Sequence, residues 1–175
     1  MSQIKYNIRE ALSHEHESLG QIMVKVYSQL DGFPSPEEQP QYYHKLANIG
    51  DLTKKPSTKI IVAISSEEQI MGGLVYFSDM KYYGSGGTAT SQPHACGFRL
   101  LAVDAAARGL GIGKALTQYC LDLAKEENQK EMIIHSTKSM QVAWKMYEKI
   151  GFRRSEDLDF MQGELQVYGF RLTIY

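Results

Sequence analysis

Between Val103 and Leu116 the chain reads VDAAARGLGIGKAL, with Gly109, Gly111 and Gly113 at alternate positions where an apolar strand gives way to an amphipathic helix. Glycine in the first turns of a helix costs up to about 1 kcal/mol against alanine, so three of them need a reason. The first turn leaves backbone N–H groups without partners, and the aligned peptide dipoles add partial positive charge, so this place binds anions. Bare Cα positions let a phosphate approach those groups, and Arg108 adds a full charge beside them. The same glycines could instead serve close packing of strand on helix with no ligand. The two readings differ in whether the amides face outward.

Spacing excludes two familiar phosphate loops. A P-loop needs glycine five residues before its Gly-Lys pair and Ser or Thr after it, but Arg108 and Ala115 stand there. A dinucleotide fingerprint G-x-G-x-x-G begun at Gly109 would end on Lys114. What remains is R-x-x-G-x-G, filled by Arg108, Gly111 and Gly113, preceded by LLAV.

The elements that would position this joint follow from periodicity. Lys5–Ala11 alternates as an opening strand, and Ser13 is placed to cap a helix carrying Leu19, Ile22, Met23 and Val26. After the loop DGFPSPEE a second helix is expected, with Ser35 as cap and Pro36 in its first turn. KIIVAIS and IMGGLVYF flank the polar SEEQ as a hairpin. The glycine-rich segment 79–94 has no period, and reads equally as a cover over a site or a mobile insertion. GFRLLAV is a strand whose continuous apolar end suits burial on both faces.

From Ile112 an amphipathic helix runs to near Asn128, EMIIHS is a short buried strand, and the two strands with the helix between them predict a parallel crossover. A last helix carries Met140, Ala143, Trp144, Tyr147 and Ile150 and stops at Gly151; FRRSEDLDFM and VYGFRLTIY then close the chain as two antiparallel strands. The expected fold class is α/β: a mixed, mostly antiparallel sheet of about seven strands with four helices and one central parallel crossover.

At 175 residues the chain fits one domain, 1–175, with a core that needs no staples. A net charge of -1 gives no basic field to draw nucleic acid. Cys96 and Cys120 lack the spacing of a zinc knuckle or redox pair and read as reduced, half-buried thiols. No leader-like start or bilayer-length apolar run is present, so no membrane partner and a cytoplasmic address are expected.

The R-x-x-G-x-G run resembles the acyl-coenzyme A signature of the GNAT superfamily of N-acetyltransferases, and AWKMYEKIGF, Ala143–Phe152, resembles that family's second signature at the expected distance. The order of elements is similar too, so the likeness covers nearly all of the chain. It implies a three-layer fold and direct transfer of an acetyl group from acetyl-coenzyme A to a primary amine of a small molecule or protein. It implies no metal, and a homodimer would be in keeping with many members.

The resemblance further implies that the diphosphate sits on the amides of Arg108, Gly109, Leu110, Gly111, Ile112, Gly113 and Lys114. It implies that backbone groups of Leu101, Ala102 and Val103 hold the pantetheine arm, and that Tyr147 protonates the departing sulfur. Two departures accompany it. Met140 stands where relatives carry a cofactor-binding asparagine, leaving Ser139 as substitute, and ACGFR lacks a common glutamate. A binding module without turnover is therefore the alternative. Asp79, Glu67 or an ordered water could serve as base, unranked, and His94 and His135 are further candidates, a lone histidine near a strand end being more often structural. His14 and His16 lie on different helix faces, which disfavours a metal site.

Overall fold

KIIVAIS and IMGGLVYF pair antiparallel as β2 (Thr58–Ser65) and β3 (Ile70–Phe77), and the turn between them is closed on Ser65, whose Oγ accepts the amides of Glu67 and Gln69. The structure, a computed structural model, describes residues 5–175. Before this hairpin come β1 (Tyr6–Glu10), α1 (His16–Ser28) and α2 (Pro40–Ala47); after it come β4 (Ala95–Val103), α3 (Ile112–Glu126), β5 (Glu131–Ser136) and α4 (Gln141–Ile150). The chain ends with β6 (Arg153–Arg154), β7 (Phe160–Gln162) and β8 (Leu165–Thr173).

The strands follow the order β1-β2-β3-β4-β5-β8-β6, with β7 also paired to β8, and every pairing is antiparallel except β4 with β5. One face of the sheet packs Ile60, Val62 and Val75 against Leu19, Met23 and Leu46 of α1 and α2. The other packs Ile61, Leu74 and Ile134 against Leu116, Cys120 and Tyr147 of α3 and α4. Two helix layers thus enclose the sheet, the architecture expected of an α/β chain.

Several boundaries differ from expectation. α1 begins at His16 after a single 3-10 turn, Ser13–Glu15, and the reaching group is Glu15, not Ser13. Its carboxylate accepts the Leu12 amide at 2.7 Å and pairs with both terminal nitrogens of Arg9 at 2.7 and 2.9 Å. α2 begins at Pro40 and not near Pro36, because Ser35 and Glu38 close a turn by exchanging side-chain bonds with each other's amides. Proline suits that first helical position, where an N–H would have no partner. FRRSEDLDFM forms two short strands, β6 and β7, separated by a turn at Ser155–Leu158. Both cysteines are fully buried rather than half-buried.

Candidate active site

β4 changes character at Leu100, which has a φ of 64°. Arg99 lies opposite Val75 and Ala102 opposite Gly73, so Leu100 and Leu101 together face Leu74 alone: a β-bulge. The extra residue inverts facing downstream. Cys96 and Phe98 pack towards α3 and α4, whereas Leu100 and Ala102 pack towards α1 and α2. Pairing with β5 also stops early, at Gly97 with Ile133, so beyond that point the edges of the two parallel strands stand apart.

A cavity of about 770 Å³ fills this opening. Leu101, Ala102 and Val103 line it from β4, Ser136 and Thr137 from the end of β5, and Ser139, Met140, Ala143 and Tyr147 from the start and inner face of α4. Tyr27 of α1 donates its hydroxyl to the Leu101 carbonyl at 2.8 Å, bracing β4 just past the bulge. The Oγ of Ser136 and the Oγ1 of Thr137 are buried without a hydrogen-bond partner, which is costly unless a guest supplies one.

The glycine joint lies at one end. Gly109 and Gly111 hold left-handed φ values of 83° and 77°, which explains glycine at both. A Cβ on Gly109 would meet nothing within 4 Å, and one on Gly111 only the Tyr6 hydroxyl at 3.7 Å. Close packing is therefore not the reason for these two residues. The first bond of α3 runs from the Ala115 amide to Gly111 oxygen, leaving the amides of Ile112, Gly113 and Lys114 without a helical partner. Arg108 and Lys114 are exposed beside them, and the Leu110 carbonyl is tied to Tyr6 at 3.0 Å. Open glycines, partnerless amides, two cations and an unpaired strand edge fit a diphosphate with an extended arm.

Tyr147 is both core and site. Its ring packs edge-on to Phe98 and Phe152, while the residue lines the cavity. Burial raises the pKa of its hydroxyl well above the ordinary phenol value, so it keeps its proton. Ser139 lies at the cavity next to Gly32 of the α1–α2 loop.

The opposite wall is gathered from several separate segments. Phe33 and Tyr42 enter from between and within α1 and α2, Tyr83 and Ser85 from segment 79–94, and Phe160, Gln162, Leu165 and Val167 from the closing hairpin. Segment 79–94 is anchored: Tyr83 is fully buried, and Thr88 donates to the Asp157 carbonyl at 2.7 Å.

The candidate bases fare unevenly. Asp79 caps its own turn by accepting the Lys81 amide, Glu67 sits in the β2–β3 turn, and neither they nor His94 line the cavity. His135 does, but both ring nitrogens are engaged, with the Tyr83 hydroxyl and the Leu158 carbonyl at 2.9 Å each. Because a carbonyl only accepts, Nε2 carries the proton and Nδ1 accepts from Tyr83. Burial above all lowers the His135 pKa to about 4, so it is a neutral tether at neutral pH. Among the described residues no Asp or Glu lines the cavity, and no cluster of metal-ligating groups is found.

Sequence reasoning missed Tyr27, the Tyr83–His135 pair and Arg99, which also lines the cavity. His135 was singled out as a candidate base, but nothing in the sequence pointed to its pairing with Tyr83, to Tyr27 or to Arg99.

A model of the acetyltransferase (GNAT) family matches residues 21–152. Among solved structures, an acetyltransferase of the GNAT family from Staphylococcus aureus Mu50 aligns with a TM-score of 0.75 at 19% identity, over 98% of this chain and 100% of that one. A GCN5-related N-acetyltransferase from Kribbella flavida gives 0.68 at 18%, over 96% and 97%. A GNAT superfamily phosphinothricin acetyltransferase from Sinorhizobium meliloti, in complex with AcCoA, gives 0.64 at 17%, over 97% and 88%. Identities this low establish a shared fold and nothing about substrate. No curated protein matches the chain.

Proposed function

The chain belongs to the GNAT acetyltransferase family, and from that premise we propose that it acts as a single domain moving an acetyl group from acetyl-coenzyme A, by direct attack, to a primary amine of a small molecule or protein. The observation that carries the reading is one cavity in which partnerless helix amides, a splayed strand edge and a protonated tyrosine lie together. Acetyl-coenzyme A would supply an acyl group already activated as a thioester.

The amides from Arg108 through Lys114 bind its diphosphate, with the Arg108 and Lys114 side chains adding charge at an exposed mouth. Leu101 and Val103 offer backbone groups along the unpaired edge of β4, while Ala102 between them stands opposite Gly73 of β3. The Leu101 carbonyl already holds the Tyr27 hydroxyl, so that edge is stiffened before any guest arrives. Ser136, Thr137 and Ser139 line the facing wall, the Ser136 and Thr137 hydroxyls being buried there without a partner. Tyr147 keeps a proton on Oη for the departing sulfur, since a thiol of pKa about 8.5 leaves more readily protonated.

An alkyl ammonium has a pKa of about 10.4 and attacks only after losing a proton. With His135 tethered and no carboxylate among the described residues at the cavity, that proton goes to solvent.

Thiol release from acetyl-coenzyme A with a panel of primary amines tests the reading, alongside thermal unfolding with acetyl-coenzyme A against ATP and dinucleotides. A ligand at 100 times its Kd adds about 2.7 kcal/mol to the folded state. Amine-dependent thiol and stabilisation by acetyl-coenzyme A alone are expected. Stabilisation without thiol leaves a binding module, and stabilisation by ATP but not coenzyme A overturns both.

A further inference from the structure

Four arginines are partly buried: Arg9, Arg99, Arg154 and Arg171. Three of them are matched by carboxylates, Arg9 by Glu15 at 2.7 Å, Arg154 by Asp159 at 2.8 Å, and Arg171 by Asp157 at 2.6 Å and Glu131 at 3.3 Å. Arg99 alone has none among the described residues. A half-buried guanidinium without an anion is unfavourable; the other three partly buried arginines are paired and this one is left open.

The place of Arg99 gives the vacancy meaning. It precedes the bulge in β4 and stands over the Tyr83 ring, its carbon 5.5 Å from the centroid, donating one N–H to the Tyr83 carbonyl at 3.0 Å. A guanidinium has five N–H groups, so a planar fork remains for a ligand. Arg99 lines the cavity together with Tyr27, Tyr42, Tyr83 and His135, among the aromatic walls. Leu30, Phe33 and Phe160 make the surrounding wall apolar.

We propose that the acceptor amine also carries a carboxylate, in the manner of an amino acid with an apolar side chain, and that Arg99 binds this carboxylate while the aromatic wall takes the side chain. This rests on the acetyltransfer reading above. A polyamine is disfavoured by the same site, since it would meet the Arg99 cation and, among the described residues, no Asp or Glu.

The test compares matched pairs, each a free amino acid and its carboxamide built on phenylalanine, leucine and methionine, with spermidine as the cationic control. Thiol release is measured for the wild-type chain, Arg99→Gln and Arg99→Lys, with circular dichroism to establish folding. In the wild type the carboxylates should exceed their amides in kcat/KM by tenfold or more, mainly through KM, and spermidine should be poorest. Arg99→Gln should bring the preference near unity, and Arg99→Lys should keep part of it. Each compound's amine pKa is the same with every enzyme, so the change in preference isolates the side chain.

Amides or spermidine preferred by the wild type, or a preference that survives Arg99→Gln, overturns the proposal. Binding is read separately, as the thermal shift that millimolar amino acid gives to the coenzyme A-loaded protein. If no amine releases thiol yet the amino acids stabilise the wild type and not Arg99→Gln, the acetyltransfer reading fails and the carboxylate site stands. The absence of both thiol release and stabilisation overturns the site itself.

Discussion

Tyr147 shows how one residue satisfies two demands: its ring fills the core against Phe98 and Phe152, and its hydroxyl keeps a proton at the cavity. Tyr147→Phe removes only the second. Acyl transfer should slow by about 10²-fold or more, within the range of acid catalysis, with the thermal midpoint nearly unchanged. An unaltered turnover number would take Tyr147 out of the reaction. This tyrosine was visible in the sequence through the motif around it, where helical periodicity alone reads it as core. Arg99 was not visible, because what distinguishes it is a missing partner. A missing partner exists only once the chain has folded and every other half-buried arginine has found a carboxylate.

At the scale of elements, β4 and its supports matter most. Tyr27 links α1 to β4 through the Leu101 carbonyl, so Tyr27→Phe should cost about 1 kcal/mol in denaturant unfolding and raise KM for acetyl-coenzyme A as the strand edge loosens. Glu15 does the equivalent for β1 and α1, with its side chain only 6% exposed while holding Arg9 and the Leu12 amide. Glu15→Gln should cost about 1–3 kcal/mol, read as a lower urea midpoint without loss of the acetyl-coenzyme A site. β4, α3, β5 and α4 were legible because their apolar patterns are clear, and α4 also because its stop is a glycine, Gly151. The starts of α1 and α2 were not, since Glu15 and Glu38 reach back to close turns that propensity does not reveal. Nor was the bulge, which exists only in register with Leu74 of β3.

For the whole molecule, two buried groups predict how acid unfolds it. His135 has a folded pKa of about 4, below its ordinary 6.5, so the unfolded chain takes up a proton first and stability falls as pH drops from about 6.5 to 4. Glu15 has a folded pKa of about 2, below its ordinary 4.5, so its contribution is full above about 4.5 and is lost as pH falls towards 2. Urea midpoints from pH 7 to 2 should therefore decline in two stages. His135→Gln should flatten the upper stage and Glu15→Gln the lower; a flat profile between 6.5 and 4 would refute the assignment of His135. The mixed sheet with its parallel crossover followed from the order of strands and helices and its three layers from the family resemblance, whereas the cavity's far wall, gathered from Phe33, Tyr83 and Phe160 on three separate segments, had no single local signature.

One mechanical property follows from the short parallel seam. Ala95–Gly97 against Glu131–Ile133 is the only stretch of register between β4 and β5, so the two halves of the sheet are joined like the arms of a flexure, fixed at one end and free at the other. A slight angular change at that joint displaces the Val103 and Ser136 ends most. How bulky a guest the opening admits is thus governed by the bending stiffness of the sheet as much as by the width of its rim.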